Sequence, residues 1–224
     1  MKKHGTKIAL TFIVALIFSA KGQLALSNNL PQMPNELPSR LNKIEGTNRS
    51  APRYTFSESK DELTGKFTRT LMIYFWVKAH DRGLLGTVVS CDILSFNYTR
   101  EENGGEEFFV MFFMCTDKPL ANLFLPKHEY IYRPEGRDTI SINSTHSKVE
   151  MADQLGLFNE TAGISSTLEQ MVELLTSPLL RLRGNEGGSK DFRLDEADKG
   201  AILWFLTKAP EGREAISRVS SAKP

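Results

Sequence analysis

Residues 84–115 read LLGTVVSCDILSFNYT, then REENGG, then EEFFVMFFMC, and no other stretch so narrows what the chain can fold into. The flanking blocks are rich in β-branched and aromatic residues, which suit a pleated sheet. Asn103-Gly104 between them is a strong hairpin signal. Along the second arm Phe109, Met111 and Phe113 alternate with Phe108, Val110, Phe112 and Met114. Both faces of that strand are apolar, so both must be covered, and the strand belongs at the centre of a sheet.

The neighbouring segments extend the sheet. Phe67 to Ala79, rich in aromatic and β-branched residues, reads as a preceding strand, with turn chemistry after it at Asp81-Arg82-Gly83. Asp117-Lys118-Pro119 breaks the second arm, and His128–Arg133 and Thr139–Asn143 read as two further strands joined across residues 134–138. The last third changes period. Ser166 to Glu169 has the S-x-x-E spacing of a capping box. Leu168, Met171, Val172, Leu175, Leu179 and Leu182 recur at helical spacing, with Pro178 placed to kink or split the helix. Residues 183–189 form a Gly-rich loop, a second helix runs from about Leu194 to Lys208, and a short third follows Pro210. Strands first and helices after predict an α+β domain: an antiparallel meander of about five strands, followed by two or three helices packed on one face.

The ends divide the chain into three parts. Lys2, Lys3 and Lys7 precede an apolar run, Ile8 to Ser19, too short to span a bilayer and followed by Ala20-Lys21-Gly22. This is the layout of a secretory signal peptide over 1–22, with Ala25 and Ser27 as an alternative cut. It predicts a secreted or periplasmic protein with no stable membrane insertion after cleavage. Residues 23–60 carry Pro31, Pro34, Pro38 and Pro52 among polar residues and read as a flexible arm, or as a segment lying extended along the domain. The single α+β domain then occupies 61–224. Hydrophobic residues at 40% and charged residues at 25% suit such a globular unit.

Charge argues against two partner classes. Four of the 28 basic residues and no acidic one lie in 1–22, so cleavage leaves 24 bases against 27 acids, a net of −3. A mildly acidic protein offers no electrostatic attraction to nucleic acid or anionic lipid. Two cysteines in an exported chain, Cys91 and Cys115, predict a disulfide. If the hairpin turns about Asn103 the two stand directly opposite; a two-residue turn at Asn103-Gly104 instead sets Cys115 against Asp92. Sequons at Asn48, Asn97, Asn143 and Asn159 are candidate glycosylation sites in a eukaryotic host; a bacterial envelope protein would leave them unused.

Chemistry-bearing patterns are sparse. His80-Asp81 and His128-Glu129 place adjacent side chains on opposite faces of a strand, and His146 and Glu150 have no zinc-type companions, so no metal site is assigned. G-x-S-x-G, S-x-x-K and phosphate-binding glycine loops are missing; Gly163-Ile164-Ser165-Ser166 resembles the first only loosely. Glu101, Glu102, Glu106 and Glu107 flank an exposed turn. Asp191, Asp195, Glu196 and Asp198 do not fit a calcium loop and suit the start of a helix instead. No catalytic residue and no cofactor is assigned. The pattern points to an exported, non-catalytic protein that binds another macromolecule, a protein, through the arm and an exposed sheet face, with self-association a further option. The alternative is a small exported hydrolase or ligand carrier, with a pocket lined by Tyr74, Trp76, Phe112 and Trp204.

Overall fold

A strand sends successive side chains to opposite faces, and the central hairpin uses this to bury one face completely. The computed structural model describes residues 34–81, 87–116, 128–133, 138–151, 157–166, 168–177, 179–184, 188–209, 212–214 and 216. The signal peptide expected over 1–22, and the arm as far as residue 33, lie outside them.

The strands are β1 (Leu41–Lys43), β2 (Ser50–Pro52), β3 (Tyr54–Lys60), β4 (Phe67–Asp81), β5 (Thr87–Arg100) and β6 (Glu106–Thr116). They continue with β7 (His128–Tyr132), β8 (Ile140–Asn143), β9 (His146–Met151), β10 (Phe158–Ser166), β11 (Leu179–Gly184) and β12 (Ser189–Arg193). The helices are α1 (Leu168–Thr176) and α2 (Glu196–Leu206), with a further helical turn at 212–214. A six-stranded sheet runs β3-β4-β5-β6-β10-β9, a four-stranded sheet runs β12-β11-β7-β8, and β1 pairs with β2. Every pairing within these sheets is antiparallel.

This overturns the α+β expectation. Among the described residues 58% lie in strands and 15% in helices, distributed over three sheets instead of one meander with helices on one face. Two physical reasons account for the difference. First, the leucines from Leu168 to Leu182 straddle two elements. α1 stops at Thr176, close before Pro178, which restricts the residue ahead of it and has no N–H to offer a helix. Beyond it Leu180 and Leu182 are buried while Arg181 and Arg183 are exposed, a period of two that makes β11. Second, β10 reads FNETAGISS, a poor strand sequence by composition. It is a strand because β6 pairs along one side and β9 along the other; tertiary pairing overrides propensity.

Residues 41–60 of the expected arm form β1, β2 and β3. β3 pairs with Phe67–Ile73 of β4. Farther along β4, Glu45 exchanges backbone hydrogen bonds with Val77 and Ala79 at 3.0 and 2.9 Å. A polar segment is ordered here by its backbone groups, a signal that composition does not carry.

The core lies between the two larger sheets. Leu71, Ile73, Leu94, Phe96, Val110, Phe112 and Ile164 fill the inner face of the six-stranded sheet. Tyr130, Leu180, Leu182 and Phe192 answer from the four-stranded one. The Phe112 ring lies 4.6 Å from that of Tyr130 and 4.7 Å from that of Phe192. α2 closes one end, its Trp204 ring meeting Phe56 edge-on at 4.9 Å.

The hairpin tip decides the cysteine register. Glu101 N–H donates to Gly105 O at 2.7 Å and Gly104 N–H to Glu101 O at 3.0 Å, with Gly104 at φ +89. This is the longer loop with a left-handed glycine, not a two-residue turn. It sets Asp92 opposite Met114, the register that leads on to Cys91 opposite Cys115. A disulfide between them would close a loop worth roughly 3 kcal/mol through the unfolded chain. Protein recovered from an oxidising compartment is expected to gain the mass of two hydrogens on reduction; an unchanged intact mass contradicts the bridge.

Candidate functional site

Only two residues, Ser144 and Thr145, separate β8 in one sheet from β9 in the other. The chain therefore turns a corner there, held by Ser144 N–H to His128 O at 2.9 Å and Thr145 N–H to Gly163 O at 2.8 Å. Four polar side chains meet at this corner. Glu160 of β10 points into the core, and its Oε1 lies 2.6 Å from His128 Nε2. His128 Nδ1 lies 2.9 Å from Ser147 Oγ, and Ser147 Oγ lies 2.5 Å from Ser144 Oγ. The His128 and Glu160 side chains are fully buried, and both serines are half-buried.

The connectivity gives each imidazole nitrogen one partner. With Glu160 a carboxylate, which only accepts, Nε2 donates to it; in the neutral imidazole Nδ1 is then the acceptor for the Ser147 hydroxyl, and in the imidazolium it donates to that oxygen instead. Carboxylate, imidazole and hydroxyl in sequence is the arrangement by which proteins activate a nucleophile. It is also a tie between layers, since His128 belongs to the four-stranded sheet and Glu160 to the six-stranded one. The acid next in sequence, Glu129, points elsewhere and bonds Ser141 and Arg183. His128 and Glu160 are 32 positions apart, and no local pattern announces the pair.

A second polar cluster joins the N-terminal strands to α2. Asp195 caps α2 in a capping box with Asp198, so these acids serve the helix start as their sequence position suggests. Asp198 is buried, and it accepts two hydrogen bonds from Arg53 at 2.8 and 2.7 Å and one from Tyr54 at 2.9 Å. Burial, followed by the charge of Asp198, pushes the Tyr54 phenol up to about 12. Burial opposes the charge of Arg53, but the bonds and charge of Asp198 outweigh it and leave its pKa raised. Burial also works against ionisation of Asp195, yet the Asp198 N–H and Arg40 together hold its carboxyl below the usual range. Asp191 stands apart, bonded to Arg181, which lowers its pKa.

The other predicted residues scatter. His80 Nε2 meets Ser90 Oγ at 2.7 Å, and His146 is exposed at the start of β9. Glu106 accepts from Tyr98 at 2.6 Å and Glu107 from Ser165 at 2.8 Å, while Glu101 and Glu102 are exposed at the tip. Among the described residues no three His, Cys, Asp or Glu gather as a metal site, and no helix is long and apolar enough to cross a membrane. Tyr74, Trp76, Phe112 and Trp204 do not line one pocket. Phe112 is in the core, Trp204 lies against Phe56, and Tyr74 is on the opposite face of the sheet, where it meets Met72. A cavity between Phe112, Tyr130 and Leu180 measures about 10 Å³, room for one water at most. Of the four sequons, Asn48 and Asn143 are exposed in a turn and at a strand end. Asn97 and Asn159 are half-buried, and Asn97 accepts from Thr70 and donates to Ser95.

The outer face of the six-stranded sheet has its own character. Thr68, Thr70, Met72 and Tyr74 of β4 stand beside Thr99, Asn97, Ser95 and Ile93 of β5, with Thr55, Ser57 and Ser59 of β3 flanking them. None of these residues is charged. Phe113 of β6, half-buried, continues the apolar part opposite Ile93.

Asp198→Ala is expected to cost roughly 3–5 kcal/mol, because it leaves the buried Arg53 without its counter-charge; urea unfolding measures it. The raised Tyr54 pKa also fixes a pH dependence. The phenol ionises more readily in the unfolded chain, so its contribution is intact below pH about 10 and is lost as pH rises toward about 12. Tyr54→Phe should flatten that alkaline decline, which unfolding curves at pH 9 and pH 11.5 would register. Comparisons of the chain with protein-family models, with curated proteins and with solved structures find no match.

Proposed function

We propose that this is an exported protein, secreted or periplasmic, that binds another protein through the outer face of its six-stranded sheet. The observation that carries the reading is the uncharged character of the β3–β5 part of that face, the charges Glu107, Lys148 and Glu150 lying farther along on β6 and β9. Solvated faces of antiparallel sheets ordinarily alternate polar and charged residues outward, and charges guard a sheet against unwanted contacts. Here the outward positions from Thr68 to Tyr74, and those opposite from Ile93 to Thr99, hold hydroxyls, amides and apolar groups only. Depletion of charge with enrichment of aromatic residues and methionine is the compositional mark of an interface centre. Tyr74, Met72, Ile93 and Phe113, all half-buried, supply that centre, and Thr70 and Asn97, hydrogen-bonded to each other and on to the buried Ser95, supply polar groups beside it. The N-terminal sequence supports export, and a mature charge near −3 favours a protein over nucleic acid as the partner.

A photocrosslinking residue at position 70, introduced in cells that export the protein, is expected to trap one protein. The same residue at Lys60 on the strand edge should not. Ile93→Glu should abolish the adduct while leaving circular dichroism and melting temperature unchanged. Equal trapping from both positions, or an adduct that survives Ile93→Glu, would overturn the assignment of this face.

A further inference from the structure

We propose that Ser147 is an acyl-accepting nucleophile, activated by His128 and oriented through Glu160, acting on small carboxylic esters. Bracing the two sheets requires only the His128–Glu160 contact at 2.6 Å. The corner holds more than that. The second imidazole nitrogen is committed to Ser147 at 2.9 Å, and a second hydroxyl, Ser144, lies 2.5 Å from the same oxygen. With the Ser147 proton directed at Nδ1, the lone pairs of Oγ face the Ser144 hydroxyl, which then donates to it. The oxygen is poised to pass its proton to Nδ1 as it attacks.

Access and electrostatics are also in place. Base and acid are fully buried, where the low dielectric strengthens their interaction. The nucleophile is half-buried beside Thr145 and His146, which are exposed. β9 is the edge strand of its sheet, with no strand beyond it among the described residues. The half-buried Ser147 is thus the end of the cluster nearest solvent, while the Glu160 side chain is closed off from water.

The chemistry balances without a cofactor. Ser147 Oγ bonds to the ester carbonyl carbon as its proton passes to His128 Nδ1, and the carbonyl electron pair moves onto oxygen. Collapse breaks the bond to the alkoxy group, which takes the proton from Nδ1 and leaves as an alcohol. Water then repeats the sequence on the acyl-serine, releasing the carboxylic acid and restoring the Ser147 hydroxyl. Glu160 stays ionised and balances the imidazolium at each stage.

The site is separate from the proposed binding face, so its test is independent of that reading. The full chain is treated with a fluorophosphonate, and the adduct is located by intact mass and peptide mapping. One adduct is expected on Ser147. It should be absent in Ser147→Ala and form roughly 100-fold or more slowly in His128→Gln and Glu160→Gln, the range a general base supplies. Thr145→Ala should label as the parent does. p-Nitrophenyl acetate hydrolysis should fall in parallel. Because the Gln variants remove a tie between sheets, Ser147→Ala, which deletes one hydroxyl, decides the case if they fail to fold. A folded parent chain that takes no adduct on Ser147, or a Ser147→Ala protein labelled at the parent's rate, overturns the proposal and leaves the corner a brace alone.

Discussion

The structure depends on one apolar contact, the inner face of β5 and β6 pressed against the four-stranded sheet. Phe96, Val110 and Phe112 project from one side, and Tyr130, Leu182 and Phe192 from the other, all of them buried. Phe192 is shared, its ring lying 4.7 Å from Phe112 and 5.1 Å from Phe75. Phe75 follows Leu71 and Ile73 on the inward alternation of β4, and the strand bulges between Tyr74 and Trp76. An extra residue at a bulge re-aims the side chains beyond it, and here it brings Trp76 opposite Asp92. Packing of this kind is close to non-directional. It brings two sheets together without saying how they should be placed.

Placement comes from polar ties around the apolar contact. His128 and Glu160 join β7 to β10 at one corner. Lys190 Nζ of β12 reaches the buried Asp92 of β5 at 2.5 Å. Arg53 and Tyr54 hold Asp198 at the start of α2. Taking charges out of water is costly, and a buried pair contributes little net stability over an apolar substitute. Breaking one such pair is expensive, however, so a shifted arrangement of layers that left Asp198 or Glu160 without its partner would be strongly disfavoured. The same property bears on the proposal for the His128 corner, because a group held for structural reasons is also held in one direction.

Much of the first sheet was legible in the sequence because its strands carry their own signals. The alternation from Phe67 to Ala79 and from Phe108 to Met114 reports burial directly, and the acids from Asp195 to Asp198 mark the start of α2. β7 and β8 were also recovered, since turn residues bound them. What could not be read is whatever depends on a distant partner. β10 has glycine and alanine at its centre, and they become strand only between β6 and β9. Leu182 fits the helical period of the preceding leucines as well as the alternation with Leu180 that β11 adopts, and sequence spacing alone does not choose. The site was illegible for the same reason. Ser147 has no flanking motif, Glu160 lies within a sequon as if on a surface loop, and only the corner between sheets joins them to His128.

The most direct test of this account is amide hydrogen exchange resolved to single residues. If the β5–β6 hairpin is the covered centre on which the other layers are assembled, the amides of Phe96, Val110 and Phe112 should exchange last, at rates set by global unfolding. Those of the edge strands β3 and β9 should open earlier. Exchange of Val110 and Phe112 as early as that of β9, or protection greatest in α2, would contradict it.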